Sequence, residues 1–572
     1  MRSVRILGLL AVAAAALSSV GGYAQTASAN VRVTNDNDTT YLSAEQMAGT
    51  GAYTDDVLLR CGHDRRMQNE PTIALDPRYP AVRTAGSNDY CTVPNTHDAW
   101  AGFYRSDNSG ASWVDSLLPA YPGDASPEGQ ASPLSAMVAG GAHAAGDPVQ
   151  AWDGNGNLFY MGNNFNRGIA DGNSFTTRDN TGDVWVATYA AKNPADPTTD
   201  GQKYLRTVIL AQNTFGSGSF NDKTGIGVDK SNGNVYASWS DFHGFGCNEI
   251  LFSRSTDHGV TFSAPVKIST GLCSNQGPNV AVDPAGTLYI AWEGGTGGSF
   301  GQNSTNGAAF VKSTDGGQTF SKPVLAVTYT PFTSGQFSGS GARDCGDAPF
   351  NCPSNFTFPR FDLAGPTITT NGTQVDMAFQ VRLPSGQGQI QFTHSENGGG
   401  SWSTPAAIDQ QPIGHQFFPW INASGGRINA VYYDSRADGA NYSPTRPPCN
   451  TASGAGSACL NVWYSESTDG GATWTHAKVT DAPTNPNYEQ FGGRRVPFFG
   501  DYIMVSAVGD AIGTAWTDHR DVVGAPDLTG DKDGDDVAGD PETGGACNSS
   551  FDFCFDGTGG LDQNIYSANI TP

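Results

Sequence analysis

Positive charge is scarce in this chain. Lys and Arg number 31 against 55 Asp and Glu, a formal net charge of −24 over 572 residues, and charged residues are only 15% of the whole. Holding a phosphate backbone or an anionic bilayer takes basic surface, so the balance argues against nucleic acid and anionic membrane as partners. Long apolar runs are also lacking. Beyond the first residues no stretch of about 18 apolar residues exists that could cross a bilayer. The ten cysteines show no C-x-x-C spacing and the nine histidines no H-E-x-x-H, which speaks against zinc and redox roles. A G-x-S-x-G match at Gly297, Ser299 and Gly301 lies in a Gly-rich loop with no helix to follow, so it does not read as a nucleophile turn. No motif points to an organic cofactor.

The N-terminus reads as a secretion signal. Arg2 and Arg5 form a charged start, Ile6 to Leu17 an apolar stretch, and Gly22 to Ala24 or Ala27 to Ala29 a small-residue cleavage site. The expectation is a leader over residues 1–24, cut as late as 29, and an exported, soluble, monomeric chain. The cysteines fall into neighbouring pairs: Cys61/Cys91, Cys247/Cys273, Cys345/Cys352, Cys449/Cys459 and Cys547/Cys554. An even count in an exported chain reads as disulfides, and near-neighbour pairing is the economical choice.

Two repeats run through the rest. One is a turn, S-x-[DN]-x-G-x-[ST]-[WF], at Ser106 to Trp113, Ser255 to Phe262, Ser313 to Phe320, Ser395 to Trp402 and Ser467 to Trp474. Its Asp or Asn can bond amides within the turn, and its Gly accepts a positive φ. The other is a pair of apolar strands around a tight Asp/Gly/Asn turn. Its seven copies begin at Glu70, Asp147, Asp222, Gly277, Gly365, Phe418 and Gly500. The turn resembles the Asp-box, or bacterial-neuraminidase repeat, of the sialidase-like superfamily. That resemblance implies an all-β propeller, here with seven blades, over residues 30–572. The last unit, ending at Asn564 to Ile570, lacks a fourth strand. Residues 31–34 resemble fourth strands elsewhere, so the N-terminal strand should close the last blade and hide its edge.

In such a ring the short turns and the boxes share one face. The long connections, residues 118–146, 330–364, 436–460 and 520–562, share the other with the cysteines, and binding belongs there. Starts of inner strands bring Glu70, Asp147, Asp222, Trp420, Asp501 and Tyr502 to that rim. Ends of second strands bring Asn88, Asp89, Asn164, Asp241, Glu293, Arg382, Arg436 and Arg520, and a loop adds Arg360. Sialidases grip a sugar carboxylate with three arginines and use a Glu-activated Tyr and an Asp acid/base. The resemblance therefore implies Arg360, Arg436 and Arg520, with Asp222 and Trp420, for substrate, and Glu70, Asp147, Asp501 and Tyr502 for catalysis. Asp434 with Arg436 and Asp518 with Arg520 read equally well as matching rim salt bridges. The family's early R-I-P signature is absent and sialidases have six blades. A non-catalytic glycan- or protein-binding propeller, or a polysaccharide lyase, stays open beside a secreted exo-glycosidase on carboxylated sugars. Finally, Asp527, Asp531, Asp533 and Asp535 place alternating carboxylates around a Gly within the 520–562 acidic insertion, as a calcium loop requires.

Overall fold

Seven antiparallel sheets stand around one axis in a computed structural model of the chain. It describes residues 25–572 except 37–38, 64–66, 93–98, 166–181, 192–200, 214–218, 244–246, 297–304, 334–364, 373, 453, 456, 487–499 and 523–561. The inner strands of blades one to seven are Gln68–Leu75, Ala144–Trp152, Ser219–Val228, Cys273–Val282, Thr367–Asn371, Gln416–Ser424 and Met504–Val508. Each touches the next, and the seventh touches the first, so the ring is closed. The seven-bladed all-β propeller expected from the repeats is the fold. Helices among the described residues are brief, such as Asp56–Cys61 and Leu134–Ala139, and none is long and apolar enough to cross a membrane.

Blade seven is completed from the other end of the chain. Its third strand, Asn564–Thr571, takes Val31 opposite Ser567 and Arg32 opposite Tyr566, and further out Thr26 and Ala27 opposite Thr571 and Ile570. The Val33 amide adds a bond to the Ile565 carbonyl at 2.7 Å. Without these residues the third strand would present a row of unpaired backbone groups.

The five repeated turns hold the blades to one another. In the third, the Ser313 hydroxyl bonds Asp315 Oδ1 at 2.7 Å and accepts the Gly317 amide at 2.9 Å. The Thr319 amide and hydroxyl both donate to Asp315. Those Thr319 bonds hold the exposed Asp315 carboxyl below the usual range. The closing aromatic packs on the preceding blade. Phe320 meets Phe252 edge-on at 4.8 Å, Trp402 meets Phe310 at 5.2 Å, and Trp474 meets Phe392 at 5.2 Å. The box Gly is needed twice over. At Gly471 φ is +90, and an added Cβ would lie 2.1 Å from the Phe392 ring. Each blade also buries large side chains between sheets, Trp100, Trp185, Trp239, Trp292 and Trp516 among them.

Three disulfides form among the described residues, Cys61–Cys91, Cys247–Cys273 and Cys449–Cys459, and each spans connections at the loop-rich end of the ring. The expected Cys345/Cys352 and Cys547/Cys554 pairs lie outside the described residues, as do the calcium candidates Asp527, Asp531, Asp533 and Asp535.

Candidate functional site at the propeller axis

The entry to five of the seven inner strands repeats one backbone feature. A single residue in left-handed conformation bulges the strand, commonly just ahead of a proline. It is Glu70 (φ 56), Asp147 (φ 53), Lys223 (φ 53), Gly277 (φ 66) and Phe418 (φ 53) in blades one, two, three, four and six. Glycine suits this conformation, and for other residues it costs on the order of 1–2 kcal/mol. Blades one to three nevertheless carry Glu, Asp and Lys there. Backbone strain of this kind is retained where a side chain has work to do. The sequence register needs one correction: the equivalent of Glu70 and Asp147 is Lys223 and not Asp222. Blade three has Lys223-Thr224 where blades one and two have an acid followed by proline, so the pattern slipped by one residue.

These side chains meet at the axis. The Lys223 ammonium bonds Asp501 of blade seven and lies 3.8 Å from Asp147 Oδ2. The Lys223 amide donates to that same Asp147 oxygen at 2.8 Å. Asn88, at the end of the second strand of blade one, ties the acids together. Its Nδ2 donates to Glu70 Oε2 at 3.0 Å, while its Oδ1 accepts the Asp147 amide at 2.9 Å. Asn163 does the like one blade on, donating to Asp222 Oδ1 at 2.9 Å. The Tyr502 hydroxyl donates to the Pro148 carbonyl at 3.1 Å, and its ring lies 6.3 Å from that of Trp420.

Electrostatics divide the carboxyls. Glu70, 2% exposed, is pushed well above the carboxylate range by burial and then by the Asp147 charge. Asp222 is raised for the same two reasons. Burial alone would raise Asp147 too. The Lys223 ammonium, with hydrogen bonds from Asp222, Glu70 and the Lys223 amide, outweighs it and holds that carboxyl far below its usual value. Lys223 is buried, but Asp147, Asp501, Asp222 and Glu70 keep it protonated. Tyr502 is driven up by burial and by Glu70 and Asp147, so it stays a phenol. Two neighbouring carboxyls pushed apart in this way supply an acid and a base.

A cavity of about 50 Å³ adjoins the cluster, lined by Lys223, Asp501, Tyr502, Phe418 and Trp420 among others. Below it the axial channel widens to about 210 Å³, and Trp420 lines both spaces.

The arginines expected at this rim are placed elsewhere. Arg436 bonds Asp434 at 2.7 Å and also Asp409, and stacks 3.7 Å over Trp463. Arg520 repeats the arrangement one blade on, with Asp518 at 2.7 Å, with Asp481, and 4.3 Å over Tyr566. Asp434 and Asp518 are fully buried. Both arginines are therefore clamps between neighbouring blades, the salt-bridge reading of these pairs, and among the described residues neither meets the axial carboxyls. Arg360 lies outside the described residues. The structure thus gathers Glu70, Asp147, Asp222, Asp501, Tyr502 and Trp420, and separates Arg436 and Arg520 from them. Sequence reasoning missed Lys223 and Asn163. A tighter alignment on the left-handed position would have found Lys223. No described group of three or more His, Cys, Asp or Glu is arranged to hold a metal.

Among known proteins, no family model matches the chain, and no curated protein matches its sequence. Solved structures do resemble it distantly. The Trypanosoma rangeli sialidase in complex with the inhibitor DANA is 15% identical with a TM-score of 0.38; the match covers 66% of this chain and 54% of that one. This chain thus spans about half the length of that sialidase. A Dyadobacter fermentans protein of unknown function is 8% identical over 89% of this chain and 96% of its own, with a TM-score of 0.40. The GH93 α-L-arabinofuranosidase of Fusarium graminearum is 11% identical over 72% and 93%, with a TM-score of 0.39. Likenesses this distant say nothing of what this chain acts on.

Proposed function

We propose that the chain is an exported glycoside hydrolase whose reacting groups are Glu70 and Asp147. The observation that carries the reading is this pair itself: adjacent buried carboxyls, one pushed toward the protonated form and one toward the ionised form, both held on left-handed backbone at the axis. Glu70 would give its proton to the leaving glycosidic oxygen. Asp147 would take a proton from water or attack the anomeric carbon, the two roles that a glycosidase asks of two carboxyls. Tyr502 and Trp420 offer ring faces for a sugar to lie against. The leader pattern and the disulfides support export. The narrower, sialidase-like reading on carboxylated sugars loses Arg436 and Arg520 to their clamps and now leans on Arg360 as its cation.

The test is hydrolysis of a panel of sialylated, uronic-acid and neutral glycans. Turnover should fall about 10²–10⁴-fold in Glu70→Gln and in Asp147→Asn, as for loss of an acid or base. Tight glycan binding with no release of sugar would overturn the hydrolase in favour of a binding propeller. Unsaturated products would point instead to a lyase.

A further inference from the structure

We infer that Lys223 decides which carboxyl of the Glu70/Asp147 pair holds the proton, and that it acts as a positioning residue without touching substrate. Lys223 bears on Asp147 from two directions. Its amide hydrogen is bonded to Asp147 Oδ2 at 2.8 Å, and its ammonium stands 3.8 Å from the same atom. Glu70 receives a neutral donor instead, Asn88 Nδ2 at 3.0 Å. One oxygen thus faces a cation and an amide, the other a carboxamide, and that difference breaks the symmetry of two otherwise similar buried acids.

The backbone supports the assignment. Gly277 stands at the equivalent position of blade four with φ 66, so the geometry itself does not call for a lysine. At Lys223 the left-handed conformation is accepted at φ 53, and the side chain is led into the axis with only 6% of it exposed. Asp501 completes the arrangement by anchoring the ammonium from the far side of the ring. The groups facing Asp147 are then Glu70 from blade one, Asp222 and Lys223 from blade three, and Asp501 and Tyr502 from blade seven. Lys223 is the cation among them; Asp222 and Glu70 add hydrogen bonds that also favour the ionised form of Asp147.

Lys223→Gly removes the ammonium and suits the backbone; it is made alone and together with Asp501→Asn, which spares the fold a lone buried carboxylate. In it the acidic limb of the pH–activity profile, which reports ionisation of Asp147, should move upward by about 1–3 pH units. Lys223→Arg should return the limb toward its original position. The inference rests on the hydrolase reading for that profile alone. Infrared difference spectra of the resting protein, assigned with Asp147→Asn and Glu70→Gln, follow the two carboxyls without any substrate. They should show Asp147 protonated in Lys223→Gly at a pH where it is ionised in the parent. If no glycan is cleaved, the hydrolase fails while the spectra still decide Lys223. Unchanged titration of Asp147 in Lys223→Gly overturns the inference.

Discussion

Lys223 of blade three and Asp501 of blade seven form an ion pair across the propeller axis although 278 residues of chain separate them. Both are buried, so neither can lose its partner cheaply: a charge left alone in such a place costs about 3–5 kcal/mol. The pair therefore binds non-neighbouring blades as well as shaping the charge around Asp147.

The N-terminal strand should prove essential to the ring. Because Thr26 and Ala27 pair with Ile570 and Thr571, leader cleavage after Ala24 leaves the whole edge covered, whereas cleavage after Ala29 strips its outer half. Sequencing of the exported protein should give Gln25 first. Deleting residues 25–34 should lower the melting temperature by several degrees, and an unchanged melt would contradict the pairing.

Arg436 and Arg520 should behave as structural residues. Arg436→Ala leaves Asp434 buried without its cation, with an expected loss of about 3–5 kcal/mol in unfolding free energy. Arg520→Ala should do the same through Asp518. Neither should change KM for a cleaved glycan, and a KM rise without loss of stability would return them to the binding site.

Asp376 makes stability depend on pH. It is fully buried and accepts one bond, from Gln374 Nε2 at 2.6 Å, and burial pushes its carboxyl up to about 7. An unfolded Asp gives up its proton near 4. Between these values the folded chain holds a proton that the unfolded chain does not, so this contribution is whole at low pH and is lost as pH rises through about 7. Melting temperature should fall from pH 5 to 8, and Asp376→Asn should flatten that slope. An identical slope in the variant would refute the assignment.

Peptide mapping without reduction should recover Cys61–Cys91, Cys247–Cys273 and Cys449–Cys459, and we expect Cys345–Cys352 and Cys547–Cys554 beside them. Opening the ten-residue Cys449–Cys459 loop should cost about 2–3 kcal/mol at most, by loop-closure entropy.

Calcium at Asp527, Asp531, Asp533 and Asp535 is testable by heat. The metal should raise the melting temperature, and Asp531→Ala with Asp533→Ala should abolish the gain. Equal melting with calcium and with chelator would dismiss the site.

Much of this was legible because it is local. The box turns close through bonds spanning four residues, such as Ser313 to Gly317, and so they print a motif. Strand pairs print alternation, and the orphan strand at Val31 was found by its likeness to other fourth strands. The axial acids were reachable too, since strand starts must converge in a ring. What sequence could not give was pairing between distant side chains. Nothing near Arg436 in the chain announces Asp409, and nothing near Lys223 announces Asp501. The slip at Asp222 has the same root: with no proline to mark the bulge, only the backbone shows which residue turns inward.

The strand that seals blade seven, residues 26–32, comes from near the start of the chain and lies against residues near its end. A ribosome delivers Val31 more than 500 residues before its partner Ser567. The circle therefore cannot shut while the chain is still being made or threaded through a narrow pore. Were the chain exported as proposed, that delay would be useful, since six blades and an open seam leave it pliable until both its ends have arrived on the same side.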